Sequence, residues 1–169
     1  MILKPATAAD PDVVALTTAQ QAEIAARYLP DEEAGGYPLD DTARYLVAYT
    51  TEGQPIACGA IQTLPAAPAQ PAPPAPAPAP LNPPTTPTHA ELKRMFVHPA
   101  HRGRGLARRL LAALEDLARA EGHHTLSLET GTRQAEAIGL YTTAGYAEIP
   151  LFGHYAGSTT SVCFSKSLV

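Results

Sequence analysis

The sequence predicts an α/β fold, a sandwich of helices packed on a mixed sheet. Three observations carry that expectation. From Glu91 onward the apolar and glycine pattern reads strand, loop, helix, strand, helix, strand, strand. Leu106, Leu110, Leu114 and Leu117 recur at i, i+4, i+8 and i+11, one apolar stripe along a helix. The 45% hydrophobic content of the 169-residue chain suffices for a core of one-domain size without staples.

The elements follow in order. Residues 1–4 open a strand. Asp10-Pro11 is a helix start, with an N-cap carboxylate and a proline at the first helical position. The helix runs to about Tyr28 and Pro30 ends it. Gly35-Gly36 and Pro38 mark a connection. Arg44 to Thr50 reads as a strand, Glu52-Gly53 as a turn and Pro55 to Leu64 as a second strand, together an antiparallel hairpin.

Eleven of the 18 prolines then fall between Pro65 and Pro87. Proline lacks an amide donor and blocks the preceding turn, so alternating Ala-Pro is neither helix interior nor central strand. Residues 65–87 are expected to be an extended polyproline II insertion. It is either a solvated spacer or a docking arm, and we expect it to lie against this subunit or a neighbouring one.

Regular structure resumes with a strand over Glu91 to Val97, closed by His98-Pro99. A glycine-containing basic loop, His101 to Gly105, leads into the Leu-striped helix, about Leu106 to Glu121. Arg108, Arg109, Glu115, Asp116 and Arg119 are expected toward solvent, and Gly122 stops the helix. Thr125 to Glu129 is a strand, Arg133 to Ala144 a helix with Gly145 as its stop, and Tyr146 to Ile149 and Thr159 to Leu168 are strands.

Composition excludes several classes. No apolar run approaches the ~18–20 residues of a membrane span, and no apolar stretch after Lys4 makes a leader. Cys58 and Cys163 sit far apart in apolar stretches, as buried reduced thiols do, which suits a cytoplasmic protein. A net charge of −4 argues against general nucleic-acid binding. Yet six of the 12 Lys and Arg residues lie between Lys93 and Arg109, with no acid among them. That zone is either a solvated helix face or an anion site.

The glycines favour the anion site. A helix N-terminus presents unpaired amides, and glycine lets a backbone approach an anion. The chain has no G-x-x-x-x-G-K-[ST] string. Gly103-Arg104-Gly105 is followed by Arg108 where a dinucleotide fingerprint needs its third glycine. What remains is Arg102-x-x-Gly105-x-Ala107, preceded by the strand ending at Val97 and followed, after the helix and next strand, by Ala137-x-x-x-Tyr141-x-x-x-Gly145-Tyr146. This arrangement resembles the GCN5-related N-acetyltransferase (GNAT) superfamily, whose pyrophosphate motif is [QR]-x-x-G-x-[GA]. The resemblance is close over 91–149 and extends to element order elsewhere, with 65–87 as a departure from the family's short connection.

The resemblance implies a mixed, mostly antiparallel sheet of about seven strands. A splayed parallel pair in it, 91–97 and 125–129, binds acetyl-CoA, and helices cover both faces. The whole chain would be a single N-acetyltransferase domain. Backbone groups of Met95, Phe96 and Val97 would pair with the pantetheine arm. The amides of Arg102, Gly103, Arg104, Gly105, Leu106 and Ala107 would hold the pyrophosphate. Gln134, where relatives often carry Asn, and Ala137 would also touch the cofactor. Tyr141 matches the usual general acid that protonates the departing thiolate, its alternative being a helix tyrosine packed on the sheet. Glu91 is the candidate base, directly or through water, with Glu129 second; either could instead pair with Lys93, Arg94 or Arg133. His98, His101, His123 and His124 read as loop residues, without the spacing of a metal site.

The acceptor would be bound by residues 28–41, with Asp31, Glu32, Glu33, Asp40 and Asp41, and by 152–158, with His154 and Tyr155. The resemblance thus implies transfer of an acetyl group from acetyl-CoA, as co-substrate and without a metal, to a primary amine of a small molecule, amino acid or peptide. A non-catalytic acyl-CoA-binding module on the same scaffold is the alternative, and an interaction protein working through the proline arm a third reading. No nucleic-acid or membrane partner is expected, and the chain would be a monomer or homodimer.

Overall fold

The computed structural model describes residues 1–29, 38–64 and 88–169. The expected proline arm over 65–87 lies outside these residues, as do Pro30, Asp31, Glu32 and Glu33. The described elements run β1 (Ile2–Ala6), α1 (Pro11–Ala25), β2 (Arg44–Tyr49), β3 (Pro55–Thr63), β4 (Thr88–Val97), α2 (Leu106–Ala120), β5 (His123–Gly131), α3 (Ala135–Thr143), β6 (Ala147–Ile149) and β7 (Ser161–Ser167). The seven strands form one sheet in the order β1-β2-β3-β4-β5-β7-β6. Only β4 and β5 pair in parallel; the other neighbours are antiparallel.

Helices cover both faces. Val13 and Leu16 of α1 pack on Tyr45, Val47, Cys58, Ala60 and Phe96. Asp10 caps α1 by accepting from the Asp12 amide at 2.9 Å, and Pro11 stands at its start. On the other face the α2 stripe Leu106, Leu110, Leu111 and Leu114 packs on Ile61, Leu92, Leu126 and Leu128, and α3 adds Tyr141 to the same cluster. Burying one such leucine is worth about 1.5–3 kcal/mol, so these two clusters fix the sheet between the helices.

One expectation is corrected on α2. Glu115 is buried, not solvent-facing. Lys166 of β7 donates to both its carboxylate oxygens, at 2.9 and 2.8 Å, so the charge enters the core with its partner. Two strands also outrun their apolar patterns. β4 begins at Thr88 and β5 at His123 because their polar side chains find partners inside the sheet. His89 Nε2 lies 2.7 Å from Ser127 Oγ, which donates to Ser165 Oγ at 2.9 Å, and His123 Nε2 lies 3.2 Å from Thr63 Oγ1.

The parallel pair is paired over only half its length. The β4–β5 ladder runs from Thr88↔His123 to Leu92↔Leu128. Beyond it β4 follows β3, with Cys58↔Phe96 and Ala57↔Val97, while β5 follows β7, with Glu129↔Cys163 and Gly131↔Ser161. The register between β3 and β4 shifts between Cys58 and Ala60, and Arg94 adopts φ 59° there. An extra residue in β4 thus forms a bulge, which bends and twists a strand away from its neighbour. Gly59 makes room for it, since a Cβ there would sit 2.7 Å from Met95 Sδ and 2.6 Å from Leu114 Cδ1.

The end of α1 is tied to the far lip of this opening through Tyr28. Its hydroxyl accepts from the Arg133 amide at 3.0 Å, and the Arg133 guanidinium lies 5.2 Å over its ring. A Cβ on Gly131 would collide with that hydroxyl and lie 2.7 Å from Tyr28 Cζ. Gly131→Ala is therefore expected to displace the buried ring and cost about 2 kcal/mol. In a chain of this size that lowers Tm by roughly 4–8 °C. Thermal unfolding followed by circular dichroism checks this, and an unchanged Tm would show that the α1 end is not held there.

Candidate functional site

The opening between β4 and β5 continues into the loop before α2. His98 accepts from the Ala100 amide through Nδ1 at 3.3 Å and starts a short turn over Pro99–His101. Gly103 and Gly105 follow with φ of 74° and 71°, a left-handed region that glycine enters without strain. Gly105 is the N-cap of α2 and no side chain caps that terminus. The amides of Gly103, Arg104 and Gly105 find no backbone acceptor among the described residues. With the first turn of α2 they present open amides at the positive end of a helix, with glycine access, the arrangement that suits an anion. The Arg102 amide differs, since it already donates to Pro99 O at 3.2 Å.

The cationic zone divides by role. Arg102 Nε donates to Val97 O at 2.9 Å, and its two terminal nitrogens grip Glu23 of α1 at 3.1 and 2.5 Å. Arg108 donates to Thr143 Oγ1 at 2.6 Å and Thr143 O at 3.2 Å, tying α2 to the end of α3. Arg102 and Arg108 therefore brace the loop, while Arg104 and Arg109 take no side-chain partner among the described residues.

A cavity of about 430 Å³ occupies the opening. Met95, Phe96 and Val97 form one wall, Gly103, Gly105, Leu106 and Ala107 one end, and Gln134, Ala137 and Tyr141 of the α3 segment the opposite wall. Arg102 and His101 also border it; Arg104 does not. The fourth side was missed by the sequence reading. It is α1, through Gln20, Glu23, Ile24 and Arg27, and Gln20 Nε2 donates to Met95 O at 2.9 Å. Their spacing of 3, 4 and 7 is a helical face, so the signal was present, though it is polar and was not read as one.

A second cavity of about 390 Å³ adjoins the first across Gln20, Ile24, Met95, Gln134, Ala137 and Tyr141. Glu91, Glu129, Asp40, His154 and Tyr155 border it. Glu91 is 2% exposed. Its Oε1 accepts from the Tyr155 hydroxyl at 2.7 Å and its Oε2 from Lys93 Nζ at 3.3 Å. Asp40 is occupied: its carboxylate accepts from the Thr42 hydroxyl and amide, which hold it below the usual carboxylate range, and from Gln62 Nε2. Asp41 is exposed. His98 and His124 are exposed, and His123 is buried at the start of β5, so none of these three borders the second cavity.

Tyr141 stands on the wall common to both cavities. Its ring packs edge-on to Tyr146 with centroids 5.8 Å apart. Burial, and then the Glu129 charge, push its hydroxyl well above the ordinary tyrosine value. Such a group stays protonated at neutral pH and can donate. Tyr155 is pushed the same way, first by burial and then by its bond to Glu91.

Known proteins share this architecture. The model of the acetyltransferase (GNAT) family matches residues 13–146. Among curated relatives, the "IAA acetyltransferase" of Azospirillum brasilense is 46% identical over 80 residues, 47% of this chain and 52% of that protein. The "L-methionine sulfoximine/L-methionine sulfone acetyltransferase" of Salmonella typhimurium is 36% identical over 75 residues, 43% of this chain and 44% of that protein. The match thus spans about half the length of these relatives. Among solved structures, a Klebsiella pneumoniae chain described as an acyl-CoA N-acyltransferase is 28% identical with a TM-score of 0.72, over 99% of this chain and 97% of that one. The Salmonella typhimurium protein yncA, solved with its cofactor acetyl-CoA, is similar in fold at 19% identity and TM-score 0.62, over 100% of this chain and 95% of that one.

The Glu23–Arg102 grip has a pH signature. The Arg102 hydrogen bonds, with the charges of Arg102 and Arg27, hold the Glu23 carboxyl below its ordinary value of 4.5. A depressed folded value means the stabilisation is present above the unfolded value and is lost as pH falls through the folded one. Glu23→Gln is therefore expected to lose less Tm than the parent chain between pH 6 and pH 3, roughly the window around an ordinary carboxylate value. Thermal unfolding across that range checks it; parallel curves would show that the grip contributes nothing.

Proposed function

Because the chain belongs to the acetyltransferase (GNAT) family, we propose that it transfers an acetyl group from acetyl-CoA to the primary amine of a small molecule, amino acid or peptide by direct attack. One observation carries the reading. Tyr141, a protonated hydroxyl, lies on the wall shared by the two cavities, and Glu91, a buried carboxylate, borders the second. A donor thus stands where the two cavities adjoin, and a proton acceptor borders the second.

The first cavity fits the cofactor. Its size suits an extended ligand, its end carries free amides at a helix N-terminus, and Arg102 and Arg108 border it. Met95 to Val97 would pair with the pantetheine arm, Gly103 to Ala107 would hold the pyrophosphate, and Gln134 and Ala137 would line the arm's other side. When bound, acetyl-CoA supplies an activated thioester carbonyl.

The chain's residues manage the protons. Glu91, directly or through a water, takes a proton from the incoming ammonium and frees the nitrogen lone pair for attack. The nitrogen sheds a second proton as the C–N bond forms and the C–S bond breaks. Tyr141 donates its hydroxyl proton to the departing sulfur and recovers one afterwards, so one proton in all is released to solvent. Glu129 also borders the second cavity and is the second candidate base. This reading makes 65–87 an insertion peripheral to a single catalytic domain. It also puts the protein in the cytoplasm, where buried thiols such as Cys58 and Cys163 stay reduced.

An amine panel with acetyl-CoA and thiol-release detection tests the reading, and absence of turnover on every amine would refute it. Tyr141→Phe is expected to lower kcat on the order of 10²-fold while leaving the acetyl-CoA Kd, measured by isothermal titration, unchanged. Unchanged kcat would remove Tyr141 from the chemistry. Glu91→Gln is expected to lower kcat/KM by a similar factor, and an undiminished value would pass the base role to Glu129.

A further inference from the structure

We propose that the acceptor is a free α-amino acid, whose carboxylate is held by Lys93 and Arg94 while its amine faces Glu91. The inference rests on the transferase reading above and goes further by naming the substrate class and the residues that select it.

The second cavity carries charges of both signs in a particular order. Residues Glu91 to Met95 of β4 all border it, and Lys93 and Arg94 are the two cations among them, Arg94 at the β4 bulge. Arg94 reaches across the cavity to donate to Pro38 O at 3.1 Å. Lys93 donates to Glu91 Oε2 at 3.3 Å and retains further donor capacity. Its other acidic neighbour, Asp40, is occupied by Thr42 and Gln62.

The Lys93–Glu91 pair is complementary in charge order to what it would bind. In an α-amino acid the nitrogen and the carboxyl carbon are about 2.5 Å apart, set by bonds of ~1.46 and ~1.52 Å. An ammonium and a carboxylate 3.3 Å apart therefore face such a zwitterion head to tail, each charge opposite its complement. The incoming ammonium replaces Lys93 at Glu91 and the incoming carboxylate replaces Glu91 at Lys93. A simple amine has nothing to offer Lys93, which is 26% exposed, in exchange for the buried Glu91 carboxylate, and so forgoes the second charge-assisted contact that an amino acid's carboxylate makes. A polyamine would bring further positive charge toward Lys93 and Arg94. A peptide N-terminus carries an amide where the carboxylate is needed.

Equilibrium titration of the full-length protein saturated with CoA tests this with four probes: L-leucine, its decarboxylated amine 3-methylbutylamine, L-leucinamide as a peptide N-terminus, and the deaminated acid 4-methylpentanoate. L-Methionine and L-phenylalanine, each with its decarboxylated amine, widen the side-chain range. At least one amino acid is expected to bind roughly 10- to 100-fold more tightly than its amine, and than its amide where leucine is that amino acid, the worth of one charge-assisted hydrogen bond or two. Lys93→Met, with Arg94 still present, should cut the amino acid's advantage over its amine roughly tenfold, the worth of one charge-assisted hydrogen bond, and Lys93→Arg should keep the preference, because either cation holds a carboxylate. Amines or leucinamide binding as tightly as the acids, a Lys93→Met variant that keeps the full preference, or failure of all three amino acids to bind would overturn the proposal. Thiol release with acetyl-CoA is read in parallel. A tightly bound amino acid that releases no thiol refutes the transferase reading and leaves the ligand assignment standing.

Discussion

The parting of β4 from β5 is the constraint on which the rest of the site depends. Up to Leu92 and Leu128 the two strands share a parallel ladder; beyond, each is held by its antiparallel neighbour. The bulge at Arg94 bends β4 toward β3, and Gly59 is the one residue type that leaves Met95 room to fold in beneath it. Backbone groups that a longer ladder would consume are left to other partners. Val97 O takes the Arg102 guanidinium and Met95 O takes the Gln20 amide. A sheet that stayed paired to its end would have neither cavity.

Electrostatics then sorts the two cavities. The cofactor end is cationic, but its arginines do different work. Arg102 and Arg108 are spent on bracing, one to α1 and one to α3, so that the glycine loop is held with its amides clear. The acceptor cavity is mixed in sign. Glu91 enters it from β4, bonded on one side to Tyr155 from the segment before β7 and on the other to Lys93 of its own strand. The proposed base is thus held by the same segment that lines the second cavity. Tyr141 faces both cavities because α3 follows directly from the splayed end of β5, with only Thr132, Arg133 and Gln134 between.

Much of this was legible in the sequence. All seven strands and three helices were read at their places, since the Leu stripe of α2, the Asp10-Pro11 cap and the glycine stops at 122 and 145 are local signals. The glycine loop and Tyr141 were legible because spacing carries them. What escaped depends on distant residues. Glu115 looks solvent-facing on its own helix, yet it is buried with Lys166, 51 residues on, donating to it. The bulge at Arg94 leaves no mark in a strand pattern, yet it lies where β4 parts from β5. The face of α1 formed by Gln20, Glu23, Ile24 and Arg27 has helical spacing, but nothing in that spacing says that Met95 and Arg102 lie opposite.

The central claim is that one opening, between the diverging halves of β4 and β5, receives the cofactor. Amide chemical-shift mapping during titration with CoA tests it most directly. The account predicts that the largest shifts fall on Met95 to Val97 and Gly103 to Ala107, with the β1–β2 edge unmoved. Shifts concentrated elsewhere, or spread evenly over the sheet with the glycine loop silent, would contradict it.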